Sequence, residues 1–315
     1  MADGKHILTT RDFEEAFGDK ISDRVSKTIE KYSLEYYELT NEERDLRLLV
    51  IMRTLLDPNL GKSGEHRAEE WETGWLENLR DLESGADPTE ALTPRYMSAK
   101  KGAVRDTARL NGRFVRPATE NFEYAVLKIL LEWVFEKYMA NVPAVYEFGS
   151  GTNHHLLQLR GTNPSAKLYG LDWAETSQKI LEKLDQMKLL QNAEGHRFNF
   201  FNPDENFEIN PDGVIYTVAA LEQVGEKHDK FVDYLISKKP KLCVHMEPIA
   251  ELYNVDNLID YLAVEYMGRR NYLHGFLTRL RELEKEGKIK IHEAKRTNVG
   301  YIFMEGYSLV VWSPK

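Results

Sequence analysis

Apolar residues recur at three- and four-residue intervals in three stretches of the first hundred residues. Ile21, Val25, Ile29 and Tyr32 form the first; Leu46, Leu49 and Val50 the second, continued by Arg53; Trp71, Trp75, Leu79 and Leu82 the third. Such spacing puts each set on one face of a helix. Thr40 followed by Glu43 is a capping box ahead of the second stretch, with Asn41 as an alternative cap. No alternation of strand type and comparable strength precedes Phe114, so residues 1–117 are expected to form an all-helical domain. The segment from Glu83 to Arg116 is the least regular, with Ser84, Gly85, Pro88, Pro94, Gly102 and Gly112. It suits loops, short helices and a domain boundary. Its basic cluster, Lys100, Lys101 and Arg105, reads as a solvated surface.

The pattern changes at Phe122. Phe122, Val126, Ile129, Leu130, Trp133 and Val134 make one amphipathic helix. Short apolar runs then alternate with helical patterns. Strands are predicted at Val142–Phe148, Lys167–Leu171, Arg197–Phe201, Val214–Val218 and Leu242–Met246, with helices from His155, over Ser177–Leu190 and through Lys230–Ser237. Strands apolar on both faces and separated by helices argue for an α/β fold with a covered parallel sheet. A helical insertion occupies 250–287, its helical pattern running from about Asn254 to Glu286 and stopped by Gly287. Ile289–Glu293 and Tyr307–Trp312 read as a terminal hairpin. The second domain is therefore 118–315.

Composition narrows the functional classes. Over 315 residues the formal net charge is −9, which argues against a dedicated nucleic-acid protein. Hydrophobic residues are 42% and charged residues 30%, ordinary for a globular chain. The one cysteine, Cys243, permits neither an intrachain disulfide nor a cysteine-rich metal site. The most apolar stretch, Ala125–Ala140, is broken by Lys128, Glu132, Glu136 and Lys137, and falls short of the ~20 residues a membrane span needs. The N-terminal residues are polar and carry no signal-peptide pattern. A cytoplasmic enzyme without a membrane span is the expectation. His154, His155 and His196 have no metal-ligand spacing and no accompanying carboxylate pair, so no metal is expected.

The most informative stretch is Val145-Tyr146-Glu147-Phe148-Gly149-Ser150-Gly151-Thr152-Asn153, at a strand end and opening a helix. Glycines let the backbone turn sharply and approach a ligand, and the helix N-terminus offers N–H groups to an anion. A nucleotide P-loop needs a following Gly-Lys-Ser/Thr, which is missing; Gly61-Lys62-Ser63 lacks the context. A dinucleotide site wants a third glycine where His154 stands. The Glu-x-Gly-x-Gly pattern resembles the first motif of class I S-adenosylmethionine (SAM) dependent methyltransferases. The resemblance extends to Asp172 at the next strand end, Phe201-Asn202-Pro203-Asp204 after the third, Leu221-Glu222-Gln223-Val224 after the fourth and Glu247-Pro248 after the fifth. It covers about Phe122 to Lys315. Asn153 replaces the family's third loop glycine, and Gln223 its histidine.

The resemblance implies a seven-stranded Rossmann-like sheet and SAM as cofactor, with Glu147, Gly149, Gly151 and Asn153 on its methionine side, Asp172 on the ribose, Phe201 and Asn202 at the adenine, and Trp173, Val218 and Ala219 beside it. It implies methyl transfer to an oxygen or nitrogen of a small polar acceptor. Glu247 and His274 are the candidate catalytic residues, since both sit where the fold exposes side chains to the crevice; Tyr253, Arg269 and Arg270 are candidates for substrate contact. The stretch Trp71-Glu72-Thr73-Gly74-Trp75-Leu76-Glu77-Asn78 resembles bacterial methyltransferases of carbohydrate or surface-polysaccharide pathways, so a sugar or its conjugate is the expected acceptor. Two rival readings remain: a nicotinamide-dependent oxidoreductase, and a catalytically silent protein that keeps the fold to bind a partner.

Overall fold

The computed structural model describes residues 4–98 and 106–315. The basic cluster at Lys100, Lys101 and Arg105 lies outside the described residues. Seven strands build the main sheet: β5 (Ala144–Phe148), β6 (Lys167–Asp172), β7 (Ala193–Arg197), β8 (Val214–Val218), β9 (Leu242–Glu247), β10 (Ile289–Lys295) and β12 (Ser308–Pro314). Their order is β10-β12-β9-β8-β5-β6-β7. Neighbours from β9 through β7 pair in parallel, while β12 runs antiparallel to both β9 and β10. The order reverses direction at β5, so the crevice at the C-terminal ends of β5 and β8 is where ligands bind in such sheets.

The strands β5, β8 and β9 are buried on both faces, which is why they read as unbroken apolar runs. Helices α6 (Phe122–Tyr138), α7 (His154–Thr162) and α8 (Glu175–Gln186) cover one face; α9 (Asp229–Lys238) and α11 (Phe276–Lys285) cover the other. The insertion contains α10 (Leu258–Arg270) and α11. The third strand is displaced from the expected Arg197–Phe201 to 193–197. Its sequence, Ala-Glu-Gly-His-Arg, is polar because β7 is an edge strand, and the apolar run after it folds into the ligand crevice instead.

The N-terminal region is not all helical. It has α1 (Thr10–Phe17), α2 (Asp23–Tyr32), α3 (Asn41–Leu56), α4 (Ala68–Glu83) and α5 (Pro88–Leu92), but also β1 (His6–Ile7), β2 (Glu35–Glu38), β3 (Ala108–Leu110) and β4 (Arg113–Pro117). These join β11 (Val299–Tyr301) in an antiparallel sheet of order β1-β2-β4-β3-β11. Strands of two to five residues are too short for alternation to register in the sequence. Because β11 comes from between β10 and β12, the expected terminal hairpin pairs as foreseen but its connection crosses to the second sheet. Phe13, Phe17, Val25, Ile29, Trp75 and Leu79 share one apolar core with α6 and α7.

The capping box at α3 forms: the Glu43 N–H donates to Thr40 Oγ1 at 3.2 Å, and the Thr40 N–H to Glu43 Oε2 at 2.9 Å. Thr40→Ala is expected to lower unfolding free energy by about 1 kcal/mol, measurable by urea denaturation.

Candidate functional site

The loop after β5 is built by left-handed backbone. Gly149 has φ +81°, Gly151 φ +50° and Asn153 φ +60°. A side chain at 149 would collide, since an added Cβ would lie 2.2 Å from the Ala220 Cβ. Gly149→Ala is therefore expected to destabilise the fold by about 3 kcal/mol, from strain and overpacking together. Restoring part of that loss in the double variant with Ala220→Gly, followed by thermal denaturation, checks the contact. Asn153 fills the third-glycine position without reaching the crevice; its side-chain amide donates to the Ser177 carbonyl at 2.8 Å and ties α7 to α8.

Asp172, at the end of β6, closes the loop from the other side. Its Oδ2 accepts the Gly151 N–H at 2.9 Å and its Oδ1 the Ala174 N–H at 2.9 Å. Each oxygen keeps acceptor capacity toward the crevice. Burial pushes its carboxyl up to about 6, against the pull of those two N–H groups. Trp173 and Phe201 form nearly parallel walls, with ring centroids 6.2 Å apart.

Two connected cavities meet here. The first is an open crevice lined by Gly149, Gly151, Asp172, Trp173, Phe201, Val218 and Ala219, residues expected from the sequence at the cofactor. Ser150, His154, His155, Phe198 and Phe200 also line it, and Trp71, Trp75 and Tyr96 cover it from the N-terminal region. The second, larger, lies between the N-terminal region, α10 and the segment after β11. Trp71, Trp75, Tyr96, Ala219 and Gln223 border both. Helix α4 is held over the crevice by Glu72, whose carboxylate accepts the Thr176 N–H at 3.1 Å and the Thr176 hydroxyl.

The turn after β8 shapes the junction. Ala219 sits at φ +46°, unusual for a residue with a Cβ. Glu247 holds that turn: its carboxylate accepts the N–H groups of Ala220, Leu221 and Glu222 at 3.0–3.1 Å. Glu247 is fully buried and lines neither cavity, so in place of the expected contact with the reactants it positions this turn. Glu222 next door does line the second cavity. Gln223 Nε2 donates to Glu222 Oε1 at 3.0 Å, Gln223 Oε1 accepts from Arg67 Nη1 at 3.1 Å, and Arg67 is clamped by Glu70. Burial and the charge of Glu247 push the Glu222 carboxyl up to about 8, partly opposed by Arg270, Gln223 and Arg67.

Other expected site residues lie elsewhere. Glu147 is buried beneath the loop, accepting from His155 Nδ1 at 2.6 Å and the Tyr216 hydroxyl at 2.9 Å. Asn202 is exposed and outside the cavity wall. His274 faces outward, paired with Glu226 at 2.6 Å. Tyr253 is buried, its hydroxyl donating to the Glu305 carbonyl at 2.8 Å. Arg269 is exposed, whereas Arg270 reaches the second cavity beside Tyr266, Tyr272 and Tyr301. In the sequence Trp71 and Trp75 mark a helix face and a stretch with a family likeness, but nothing there marks them as cavity wall. Glu222 lay inside the quoted Leu-Glu-Gln-Val stretch, one place before the position that drew attention.

Among the described residues no group of three or more histidine, cysteine or acidic side chains comes together as a metal site, and no helix is long and apolar enough to cross a membrane. No family model matches the sequence, and no curated protein matches it. Among solved structures the chain is similar to the [4+2]-cyclase SpnF, with a TM-score of 0.50 and 9% identity over 81% of this chain and 97% of that one. It also aligns with the O-methyltransferase NcsB1 from neocarzinostatin biosynthesis, solved with SAM and a naphthoic acid (TM-score 0.44, 15% identity, 84% of this chain and 73% of that one). A further alignment is with magnesium protoporphyrin IX methyltransferase from Synechocystis (TM-score 0.46, 11% identity, 62% and 87%). With the strand order above, the SpnF likeness shows the fold alone: a mixed seven-stranded, Rossmann-like sheet covered by helices.

Proposed function

We propose that this chain is a SAM-dependent methyltransferase acting on an oxygen or nitrogen of a small polar acceptor. The observation that carries the reading is the pair of cavities joined at Trp71, Trp75, Tyr96, Ala219 and Gln223. One is an aromatic-walled crevice at the glycine loop that ends in an acid; the other is a roomy chamber with its own buried carboxyl. In the first, Asp172 would hold the ribose hydroxyls and Trp173 with Phe201 the adenine. Bound there, SAM supplies an electrophilic methyl group on a sulfonium. Positioning the acceptor in line accounts for much of the acceleration such a transfer needs.

Glu222 would take the acceptor's proton, oriented by the chain Glu70–Arg67–Gln223. Tyr266, Tyr272 and Tyr301 give the chamber an aromatic wall, suited to stacking on a sugar or another ring, and Arg270 offers a cation at its edge. The sugar acceptor suggested by the Trp71–Asn78 stretch fits that wall. The oxidoreductase reading is disfavoured by His154, whose buried ring occupies the position where a dinucleotide loop needs glycine.

Calorimetric titration with SAM, S-adenosylhomocysteine and NAD(P)H tests the reading. Micromolar binding of the first two is expected; NAD(P)H binding without them would overturn it. Transfer from methyl-labelled SAM to a panel of sugars, phenols and amines then identifies the acceptor, and tight SAM binding with no transfer to any of them would favour the silent, partner-binding alternative.

A further inference from the structure

The wall of the first cavity holds buried polar atoms that find no hydrogen-bond partner among the described residues: Nε2 of His154 and of His155, Oγ of Ser150, and the indole Nε1 of Trp71 and of Trp75. His154 and His155 are each 7% exposed and Ser150 2%. Leaving such groups unpaired costs about 1–3 kcal/mol each, so the cluster points to a ligand that satisfies them.

The role of each atom follows from its neighbours. The Thr152 hydroxyl donates to the Leu92 carbonyl at 2.6 Å, so its lone pair receives the proton of His154 Nδ1, 2.8 Å away. His154 thus carries its proton on Nδ1 and presents a bare lone pair at Nε2. Burial, with the nearby His155 and Lys128, holds this imidazole well below its ordinary range, so it is neutral. His155 donates Nδ1–H to the Glu147 carboxylate at 2.6 Å, and its Nε2 has no partner among the described residues. The two rings lie 3.8 Å apart. In the lining of the same cavity, on α4, stacked Trp71 and Trp75 supply N–H donors only.

A bare imidazole acceptor and two indole donors in the wall of one cavity match an amino-acid zwitterion, whose ammonium donates and whose carboxylate accepts. We propose that His154 receives the α-ammonium of the methionyl end of SAM, and that the Trp71 and Trp75 indoles receive its carboxylate. The inference rests on the SAM reading above and deepens it. It makes the N-terminal helix part of cofactor recognition, so that the site distinguishes the intact cofactor from a nucleoside lacking the amino-acid tail.

The test compares S-adenosylhomocysteine with 5′-methylthioadenosine, which lacks that tail, by calorimetry and by quenching of indole fluorescence. The wild-type chain is expected to bind the former at least about 30-fold more tightly. His154→Phe is expected to weaken S-adenosylhomocysteine about 10- to 100-fold while leaving methylthioadenosine within about twofold, and Trp75→Phe to act in the same sense. His154→Gln, whose amide oxygen can accept, is expected to recover part of the loss. Equal binding of both compounds by the wild type overturns this inference alone, as does an equal loss of both in His154→Phe. Binding of neither compound by the wild type removes the cofactor reading and this inference with it.

Discussion

Glu222→Gln is expected to lower kcat by about 10²- to 10⁴-fold, the range for loss of a positioned general base, while S-adenosylhomocysteine affinity stays within about threefold. The carboxyl lines the acceptor chamber, and glutamine keeps its shape and its bond to Gln223 while removing the base. The wild-type rate is expected to rise with pH and level off above about 8, because burial and Glu247 hold the carboxyl there against Arg67 and Arg270. The variant should lose that rise. Stability supplies a readout that needs no acceptor. A carboxyl whose folded pKa lies above its unfolded value of 4.5 binds its proton more tightly in the native state. Its contribution is most favourable below that value, declines as pH rises through about 8 and is flat beyond. Glu222→Gln should therefore match the wild type in urea denaturation near pH 4.5 and exceed it above pH 8, by an amount on the order of a few kcal/mol. A variant with wild-type kcat would exclude Glu222 as the base.

Asp172→Ala is expected to weaken S-adenosylhomocysteine and methylthioadenosine alike, by about 100-fold or more. Two hydrogen bonds from ribose hydroxyls to a buried carboxylate are each worth about 1.5–3 kcal/mol. The equal effect on both compounds separates this acid from His154. Asp172 also accepts the Gly151 and Ala174 N–H groups, so thermal denaturation must accompany the titration. Asp172→Asn keeps one acceptor oxygen and should fall between. Affinity within threefold of wild type for Asp172→Ala would take this residue out of the ribose site.

The lining of the first cavity was largely legible along the chain. Gly149, Gly151, Asp172 and Trp173 are local features: a bend that needs glycine and an acid that ends a strand declare themselves in a few consecutive residues. Glu247 shows the limit of that logic. Its place at a strand end suits either a reacting group or a support, and the three N–H groups that occupy it belong to a turn about 25 residues away in sequence. His274 was plausible for the same reason, but the chain between α10 and α11 turns it toward Glu226 and solvent.

Hydrophobic periodicity and the glycine loop determine the α/β architecture, because both arise from contacts within a few residues and from the burial of whole strands. The short sheet that borrows β11, the docking of α4 over the crevice and the assembly of Glu222, Gln223 and Arg67 into one network depend on pairings up to two hundred residues apart. Such pairings leave no period in the sequence. Only the packing of the N-terminal helices against the β5–α7 loop turns an amphipathic stripe of tryptophans into the roof of the first cavity.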